Sequence, residues 1–594
     1  MSARELITDH LDLWTSAVTH KSGSGRSASG KNGKIELTGI KKLRELILEL
    51  AVRGKLVEQD PSDEPASELL DRIAEEKTRL VKEGKIRRAK SQPAVELEEV
   101  DFELPSSWLW VRLGSVGQVV GGGTPKSGEP SFWSEKEIAW LTPADLYGLN
   151  EKYISSGKRD ISRLGLEKSS AQLLPEGAVL FSSRAPIGYV AIAAKELATN
   201  QGFKSCAPYI RDVSQFVYYF LKRSARHIDA SASGTTFKEV SGSKFASIPM
   251  PLPPLEEQHR IVEKVDELMA LCDRLERQVG DQLEAHEVLV DTLLDALTRS
   301  SDATELAENW ARVSEHFDTL FTTEASIDKL KKTILQLAVM GRLVQQDPND
   351  EPAIVLLDKI AEEKARLVKE GKIKKPKKSS DPQAEKIPFH VPKNWQWCRL
   401  ESLALHSESG WSPQCNNTPR SGDRWGVLKV SAVSWGSFNP DENKALPDNL
   451  TPRTELEVKP NDFLITRANT AELVARSTVV PEGAPQHLMM SDKIVRLVFS
   501  MQASTLYINL FNNCKIARDY YSQVAGGTSS SMKNVSRKQI HELLIPLPPA
   551  EEQHRIVEKV DELMALCDRL KARLSEAGKT RSQLAETLVE QTIS

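Results

Sequence analysis

PLPPLEEQHRIVEKVDELMALCDRL, residues Pro251–Leu275, returns almost unchanged as PLPPAEEQHRIVEKVDELMALCDRL at Pro546–Leu570, an offset of 295. A second pair lies upstream of each copy. ILELAVRGKLVEQDPSDEPASELLDRIAEEKTRLVKEGKIRRAK starts at Ile47, and ILQLAVMGRLVQQDPNDEPAIVLLDKIAEEKARLVKEGKIKKPK starts at Ile334, an offset of 287. That register runs from Ile40/Ile327 to Trp108-Leu-Trp110-Val-Arg112-Leu against Trp395-Gln-Trp397-Cys-Arg399-Leu. The block between the matched segments therefore differs in length by only eight residues, while its sequence diverges almost completely. Convergent packing does not produce such identity twice in one chain. The reading is a duplication in which the arms are held to one geometry and the blocks are free to differ.

The arms read as helices. After Pro-Leu-Pro-Pro, which is expected neither to continue a strand nor to lie inside a helix, Glu256 and Glu257 fall where a helix start favours acids. Apolar or small residues recur at Ile261, Val265, Leu268, Cys272, Leu275 and Val279, then at Leu289, Leu293 and Ala296. In the second copy the 4-3 spacing runs through Ile556, Val560, Leu563, Cys567, Leu570, Leu574, Ala577, Leu584 and Leu588, interrupted at Arg581. Such a seam predicts a coiled coil. Ile40, Leu43, Ile47 and Leu50, with Ile327, Leu330, Ile334 and Leu337, give shorter matching seams. Four seams in symmetric order predict a self-paired antiparallel coiled coil.

The chain has 594 residues, too many for one core, and length alone suggests about three to five domains. No stretch approaches the ~18 apolar residues of a membrane span. Met1 to His10 has no apolar core and is not expected to be a secretory leader. Six scattered cysteines without a CxxC pair fit free thiols in a reducing cytoplasm. The net charge of −4 hides a division: residues 101–250 and 388–548 each hold 17 Lys/Arg against 14 Asp/Glu, so the remainder carries −10. All nine tyrosines and nine of eleven tryptophans lie in those two blocks. Two mildly basic, aromatic-rich blocks sit on an acidic frame.

The fold predicted is α+β: two mixed α/β blocks separated by long antiparallel coiled-coil helices, related by a pseudo-twofold internal repeat. The boundaries are residues 1–39 for an N-terminal helix (about Arg4–Val18, with Leu6, Leu13 and Trp14 apolar) and flexible linker (21–34), and 40–100 for the first arm. Residues 101–250 form the first block, 251–387 a central region, 388–545 the second block and 546–594 a C-terminal helix. Trp310, Phe317, Leu320 and Phe321 mark residues 300–326 as a hydrophobic docking segment.

Three loops match between the blocks. Gly121-Gly-Gly-Thr-Pro125-Lys126-Ser127 pairs with Ser409-Gly-Trp-Ser-Pro413-Gln414, Phe181-Ser-Ser-Arg184-Ala with Leu464-Ile-Thr-Arg467-Ala-Asn469, and Asn200-Gln201-Gly-Phe-Lys204 with Met490-Ser491-Asp492-Lys493. Each block then ends alike, at Gly234–Ser241 and Gly527–Ser536. Loops carrying Arg, Lys, Gln, Asn and Ser suit phosphate contact and base-edge readout. The candidate contacts are Thr124, Lys126, Ser127, Arg184, Gln201, Lys204, Thr236 and Lys238 in the first block. In the second they are Ser412, Gln414, Arg467, Asn469, Ser491, Lys493, Ser531 and Lys533. Any one such residue is more often merely solvated, and Trp108, Trp110, Trp395 and Trp397 are expected to pack at the arm junction. The repeated basic clusters Lys85–Lys90 and Lys372–Lys378 suit a solvated tail or a phosphate or partner contact.

Catalytic signals are decoys. Gly25 to Lys31 fits GxxxxGK, but Asn32 follows and no strand precedes it. Pro447-Asp448 with Glu457-Val-Lys459 mimics a metal-nuclease pattern, yet Pro452 and Pro460 frame it and the first block has no counterpart. No adenosylmethionine pocket or adenine-methylation motif is present. His259 and His554, matched near a helix start, are expected to cap or pack.

The chain resembles the specificity (S) subunits of type I restriction–modification enzymes. The residues carrying the resemblance are the two Pro-Leu-Pro-Pro-x-Glu-Glu-Gln-His-Arg-Ile-Val helix starts and the two LAV-x-G-(K/R)-LV-x-QD arms. The Gly-Gly-Gly-Thr-Pro loop and the Arg184-Ala-Pro-Ile-Gly188 turn add to it, while the second block departs from Gly-Gly-Thr-Pro. The resemblance spans Ile40 to the C-terminus. It implies that each block is a target recognition domain for half of a bipartite site in double-stranded DNA, and that the arms set the spacer and dock two methyltransferase (M) subunits, which hold two restriction (R) subunits. The chain itself would be non-catalytic, cytoplasmic and free of metal and cofactor. S-adenosylmethionine, ATP and Mg²⁺ would belong to the partners. An arm of about 35 residues spans about 50 Å, on the order of 15 base pairs, which suits a gapped site. Two other readings stay open from the residues alone: a coiled-coil scaffold with two non-DNA ligand-binding blocks, and a self-sufficient nuclease or methyltransferase built on Glu457.

Overall fold

In a computed structural model the described residues are 7–20, 35–86, 91–184, 186–232, 238–373, 387–434, 436–527 and 532–593. The linker 21–34 with its GxxxxGK stretch, most of both basic clusters, Thr236 and Ser531 lie outside them. The chain divides into two compact units, Met1–Leu283 with Ala577–Ser594, and Glu284–Glu576. Helices α1 (Leu11–Ser16) and α2 (Thr38–Val52) lead to the long helix α3 (Leu255–Arg299); α4 (Glu324–Val339) repeats α2, and α5 (Ala550–Ile593) repeats α3. The first unit holds the opening part of α3 and the closing part of α5, and the second holds the reverse. Among the described residues no helix is long and apolar enough to cross a membrane.

The short seams pack as expected. Ile40, Leu43, Ile47 and Leu50 on α2, and Ile327, Leu330, Ile334 and Leu337 on α4, are all buried, each removing about 1.5–3 kcal/mol of apolar side chain from water. Ion pairs at their flanks repeat with the sequence offsets. On α2, Arg44 meets Asp273 of α3 at 2.5 Å and Lys42 meets Glu586 of α5 at 2.9 Å. On α4, Lys331 meets Asp568 of α5, and Lys329 meets Asp291 of α3 at 2.8 Å. These pairs are half exposed and add little stability; their value is that one geometry is built twice.

The arm junctions repeat with equal fidelity. Trp108 Nε1 donates to Glu257 at 2.9 Å and Gln59 Nε2 donates to the same carboxylate; Trp395 and Gln346 do this for Glu552. Arg260 pairs with Asp63 and Arg555 with Asp350, both at 2.6 Å. Trp108 stands edge-on to Phe216 and Trp395 to Tyr507, with centroids 6.2 and 6.3 Å apart. Burial pushes the Glu257 and Glu552 carboxyls up, against the pull of these donors. His259 and His554 face solvent, so Glu257 and Glu552, not the histidines, tie the helix start to the arm.

Three expectations are corrected. Pro251 does lie in a strand: Pro249–Leu252 pairs with Leu109–Arg112, as Leu544–Leu547 pairs with Gln396–Arg399. In a two-stranded ribbon residues two apart turn their backbone polar groups to the same side, so Pro249 and Pro251 place their missing N–H groups on the free edge. Leu289 and Leu584 are 50% and 54% exposed, and the next residues, Val290 and Ala585, are buried in their place. The inward positions run Cys272, Leu283, Leu294 and Cys567, Gly578, Val589, an eleven-residue spacing. At 3.67 residues per turn this follows a nearly straight helix, which drifts away from a strict heptad by about 20° per seven residues. In the 300–326 segment Leu320 and Phe321 are buried while Trp310 is partly exposed.

A further repeat joins the N-terminal segment to that connector. His10 (φ −114, ψ 22) precedes α1 and His316 (φ −108, ψ 17) precedes the short helix Phe317–Leu320. Trp14 N–H donates to His10 O at 3.0 Å and Leu320 N–H to His316 O at 2.9 Å, and both Trp14 and Leu320 are buried. Only His-x-Asp is common to the two stretches.

Among the described residues each block is built around two main sheets. In the first unit one sheet orders Gly117–Gly121, Lys204–Pro208, Val179–Phe181, Val190–Ala193, Tyr153–Ile154, and the other Trp133–Ser134, Arg159–Ile161, Ile138–Leu141, Leu197–Thr199, Leu173–Leu174. The second unit has four strands, Ala404–Ser409, Ile494–Phe499, Phe463–Thr466, Ser477–Val479, and three, Asn443–Ala445, Gly426–Leu428, Leu488–Met489. In both, a parallel pair sits within the second sheet: Ile138–Leu141 with Leu197–Thr199, and Gly426–Leu428 with Leu488–Met489.

Candidate nucleic-acid interface

In the first unit the loop after Gly117–Gly121 lies against the loop before Lys204–Pro208. Gly122 N–H donates to Phe203 O (3.4 Å) and Gly123 N–H to Thr199 O (2.9 Å). A Cβ on Gly122 would stand 1.8 Å from Asn200 O, and one on Gly123 2.2 Å from Ala171 N. Only glycine permits that approach. Beyond it, the Thr124 hydroxyl donates to Gln201 Oε1. Two indoles brace the loop: Trp140 Nε1 donates to Gly123 O at 2.9 Å and Trp133 Nε1 to Lys126 O at 3.3 Å. The Arg159 guanidinium lies 3.6 Å over the Trp133 ring.

The Arg184 loop joins from the other side. Ser183 N–H donates to Gly202 O (2.7 Å), and Val240 N–H to Ser183 O (3.1 Å). Arg184 and Lys204 converge on Glu239, at 3.7 and 3.2 Å. The structure thus brings Thr124, Gln201, Arg184 and Lys204 to one edge, with Lys126, Ser127 and Lys238 exposed on the same loops. Glu239 holds two cations in place while leaving the cluster net positive.

The second unit uses the same backbone. Gly410 N–H donates to Ile494 O (3.3 Å) and Trp411 N–H to Met490 O (2.9 Å); a Cβ on Gly410 would stand 2.0 Å from Met490 O. Ser412 Oγ donates to Asp492 at 2.5 Å, and Lys493 Nζ stands 3.2 Å from it. Against the effect of burial, these contacts hold the Asp492 carboxyl below its ordinary value. Arg453 lies 4.4 Å over the Trp411 ring. Asn469 pairs with Lys533 across a short ladder and donates to Ser434 Oγ at 2.8 Å, while Lys533 Nζ reaches Gly527 O at 2.7 Å. Gln414 is exposed; Ser491 is buried, and its side chain is not offered to a ligand.

The loop matching read from sequence slips by one residue. Arg467 N–H donates to Lys493 O (2.8 Å) and Val535 N–H donates to Arg467 O (2.9 Å), which are the bonds of Ser183. The counterpart of Arg467 is therefore Ser183, that of Arg184 is Ala468, and that of Lys493 is Gly202. On extended chain one residue turns the side chain to the other face, so Arg184 and Arg467 are not equivalent. Sequence reasoning also missed Trp133, Trp140, Arg159 and Glu239; the concentration of aromatics in the blocks was the available signal. The nuclease-like pattern does not assemble: Glu457 accepts the His487 N–H at 2.6 Å, and Asp448 is solvent-exposed with Arg424 3.9 Å away. Among the described residues no group of three His, Cys, Asp or Glu could hold a metal ion.

Comparison with known proteins places these observations beside a family, two relatives and a solved structure. The family described as "Type I restriction modification DNA specificity domain" matches residues 105–285 and 460–577. The chain is 42% identical to the type I restriction enzyme EcoEI specificity subunit of Escherichia coli, over 99% of each chain. It is 39% identical to the EcoAI specificity subunit of Escherichia coli over 100% of each. Among solved structures, the HsdS subunit from Thermoanaerobacter tengcongensis is 17% identical with a TM-score of 0.41, covering 84% of this chain and 99% of that one.

Proposed function

The chain belongs to the family of type I restriction–modification specificity subunits, and we propose on that premise that its two blocks, target recognition domains at 101–250 and 388–545, each read one half of a bipartite site in double-stranded DNA. The observation that carries this reading is the contrast between an arm junction whose Trp–Glu, Gln–Glu and Arg–Asp contacts recur in both units and the polar, cationic loop cluster rebuilt with different residues on the same backbone in each unit. A scaffold that must be constant and loops that must differ are what two half-sites of unlike sequence require. The chain acts as a non-catalytic subunit. Adenine methylation with S-adenosylmethionine and cleavage with ATP and Mg²⁺ fall to two M and two R partners, docked through the arms, in the cytoplasm. The candidate contacts support the reading through the edge shared by Thr124, Arg184, Gln201 and Lys204.

The test is a map of methylated adenines in the host with and without this gene, then with residues 101–250 replaced by a relative's block. Loss of one gapped motif with the gene, and change of only one of its halves with the exchange, is the expected result. A map that does not depend on the gene, or an exchange that alters both halves, would overturn it.

A further inference from the structure

Tyr147 is 78% exposed, yet its position is firmly set. It follows the strand Ile138–Leu141 and the turn Pro143–Leu146, where the Asp145 carboxylate accepts the Thr142 N–H and hydroxyl at 2.7 Å and the Lys158 N–H at 3.0 Å. Gly148 closes the turn at φ +75, with open space where a Cβ would stand. The Tyr147 ring leans against Tyr189, centroids 6.3 Å apart. Tyr189 is half-buried on the core of the block, and its N–H donates to Ser182 Oγ at 2.8 Å, two residues before Arg184. On the other flank Pro143 abuts Gly202, where an added Cβ would come within 2.9 Å. The turn that carries the ring thus meets the end of the Arg184 loop through Tyr189 and the Gln201 loop through Pro143, while the ring itself stands in solvent. A lone exposed aromatic needs no explanation. One set on a capped turn that touches the loops carrying Arg184 and Gln201, and braced by a second ring, is built to meet something.

The second unit places a similar turn beside its corresponding loop. The strand Gly426–Leu428 leads to the turn Val430–Ala432, Ser434 Oγ donates to Val430 O at 2.6 Å and accepts from Asn469 at 2.8 Å, and Gly436 closes the turn at φ +78. The sequence again sets an aromatic residue before that glycine, Trp435, whose placement lies outside the described residues. The two blocks share almost nothing else in this stretch.

We propose that Tyr147 contacts duplex DNA, its ring packing on the sugars and base edges of the half-site that the Arg184 and Gln201 loops approach. The inference rests on the reading of the block as a DNA-binding domain and adds to it an apolar, aromatic contact that the cationic loops do not supply. Because the ring makes the contact, phenylalanine retains it and alanine does not.

The experiment uses the full chain in complex with its methyltransferase subunits. The probes are a labelled duplex carrying the mapped site and a duplex with the first half-site scrambled. Tyr147→Ala should weaken binding to the intact duplex about tenfold, in line with the loss of one aromatic–base contact. Tyr147→Phe should stay within about twofold, and neither should alter binding to the scrambled duplex. Tyr189→Ala, which removes only the brace, should fall between. If Tyr147→Ala binds like the wild type while Arg184→Ala weakens, the edge binds DNA without Tyr147 and the proposal is overturned. If the wild type does not distinguish the two duplexes, the reading of the block itself fails.

Discussion

Glu49, Arg53 and Arg223 of the first unit occupy the places that Gln336, Met340 and Cys514 hold in the second. The first two positions follow from the 287 offset. The third follows from Phe216 and Tyr507, which meet Trp108 and Trp395 alike and are followed seven residues later by Arg223 and Cys514. In the first unit Arg223 reaches Glu49 with two bonds of 2.7 and 2.8 Å, and Arg53 adds a third at 2.8 Å. In the second, Gln336 Nε2 approaches Met340 Sδ at 3.7 Å, and Cys514 is buried. Across the C-terminal end of α2 and α4 and the turn that follows (LELAVRGK against LQLAVMGR) these arm positions are two of the three that change. The arms are thus alike where α2 and α4 meet the long helices of their own unit and private where each meets the helix of its own block.

The comparison breaks most visibly at Glu49. Glu49→Ala takes this carboxylate from two largely buried guanidinium groups, 11% and 13% exposed, and should cost about 3 kcal/mol, read as a thermal shift with loss of hydrogen-exchange protection confined to the first unit. Gln336→Ala should cost less than about 0.5 kcal/mol. Although burial works against it, Arg223 and Arg53 hold the Glu49 carboxyl below the ordinary 4.5. A lowered folded value contributes stability above the unfolded one, lost as pH falls through the folded one. The first unit should therefore loosen in acid before the second at this joint. An equal acid response in both units would contradict the assignment.

Glu257 and Glu552 sharpen the comparison from the side of sameness. Either one changed to Ala strands a buried indole N–H and a glutamine amide, at a cost of about 2 kcal/mol, and the two variants should match. Their carboxyls are raised above 4.5 by burial. This term favours the folded state below 4.5 and is lost as pH rises through the folded value. Glu257→Gln, which keeps an acceptor without the charge, should gain on the wild type across that window and hold its gain above it. A gain that declines with rising pH would rule the account out. The smallest effect is at Tyr507, whose hydroxyl donates to Pro546 O at 2.6 Å on the free edge of the ribbon. Tyr507→Phe should cost about 1 kcal/mol in the second unit by denaturant melting, bringing it to the state the first unit already has with Phe216.

Much of this architecture was legible in the residues. The offsets 287 and 295, the apolar seams of α2 and α4, and the burial of Trp108 and Trp395 all follow from identity and period, because burial on a helix is a local property repeated every turn. The seam of the long helices was legible as far as Leu275 and Leu574, which still pack on the cores, and failed at the exposed Leu289 and Leu584, since a 3.5-residue count and a 3.6-residue helix part company within three heptads. The N-terminal repeat of His10 on His316 was hidden because its common feature is backbone geometry.

The sequence by itself determined that two constant arms flank two divergent blocks, and which family they belong to, since repetition and motif are carried by residue order. Tertiary structure alone decided which side chains share the candidate edge. Arg184 and Arg467 look equivalent in a row of letters. Hydrogen bonds from loops far apart in the chain set their register, and one residue of slip on extended backbone turns a side chain from one face to the other. The same long-range pairing set Glu239 between two cations and the Tyr147 ring against Tyr189, contacts that no local pattern of residues records.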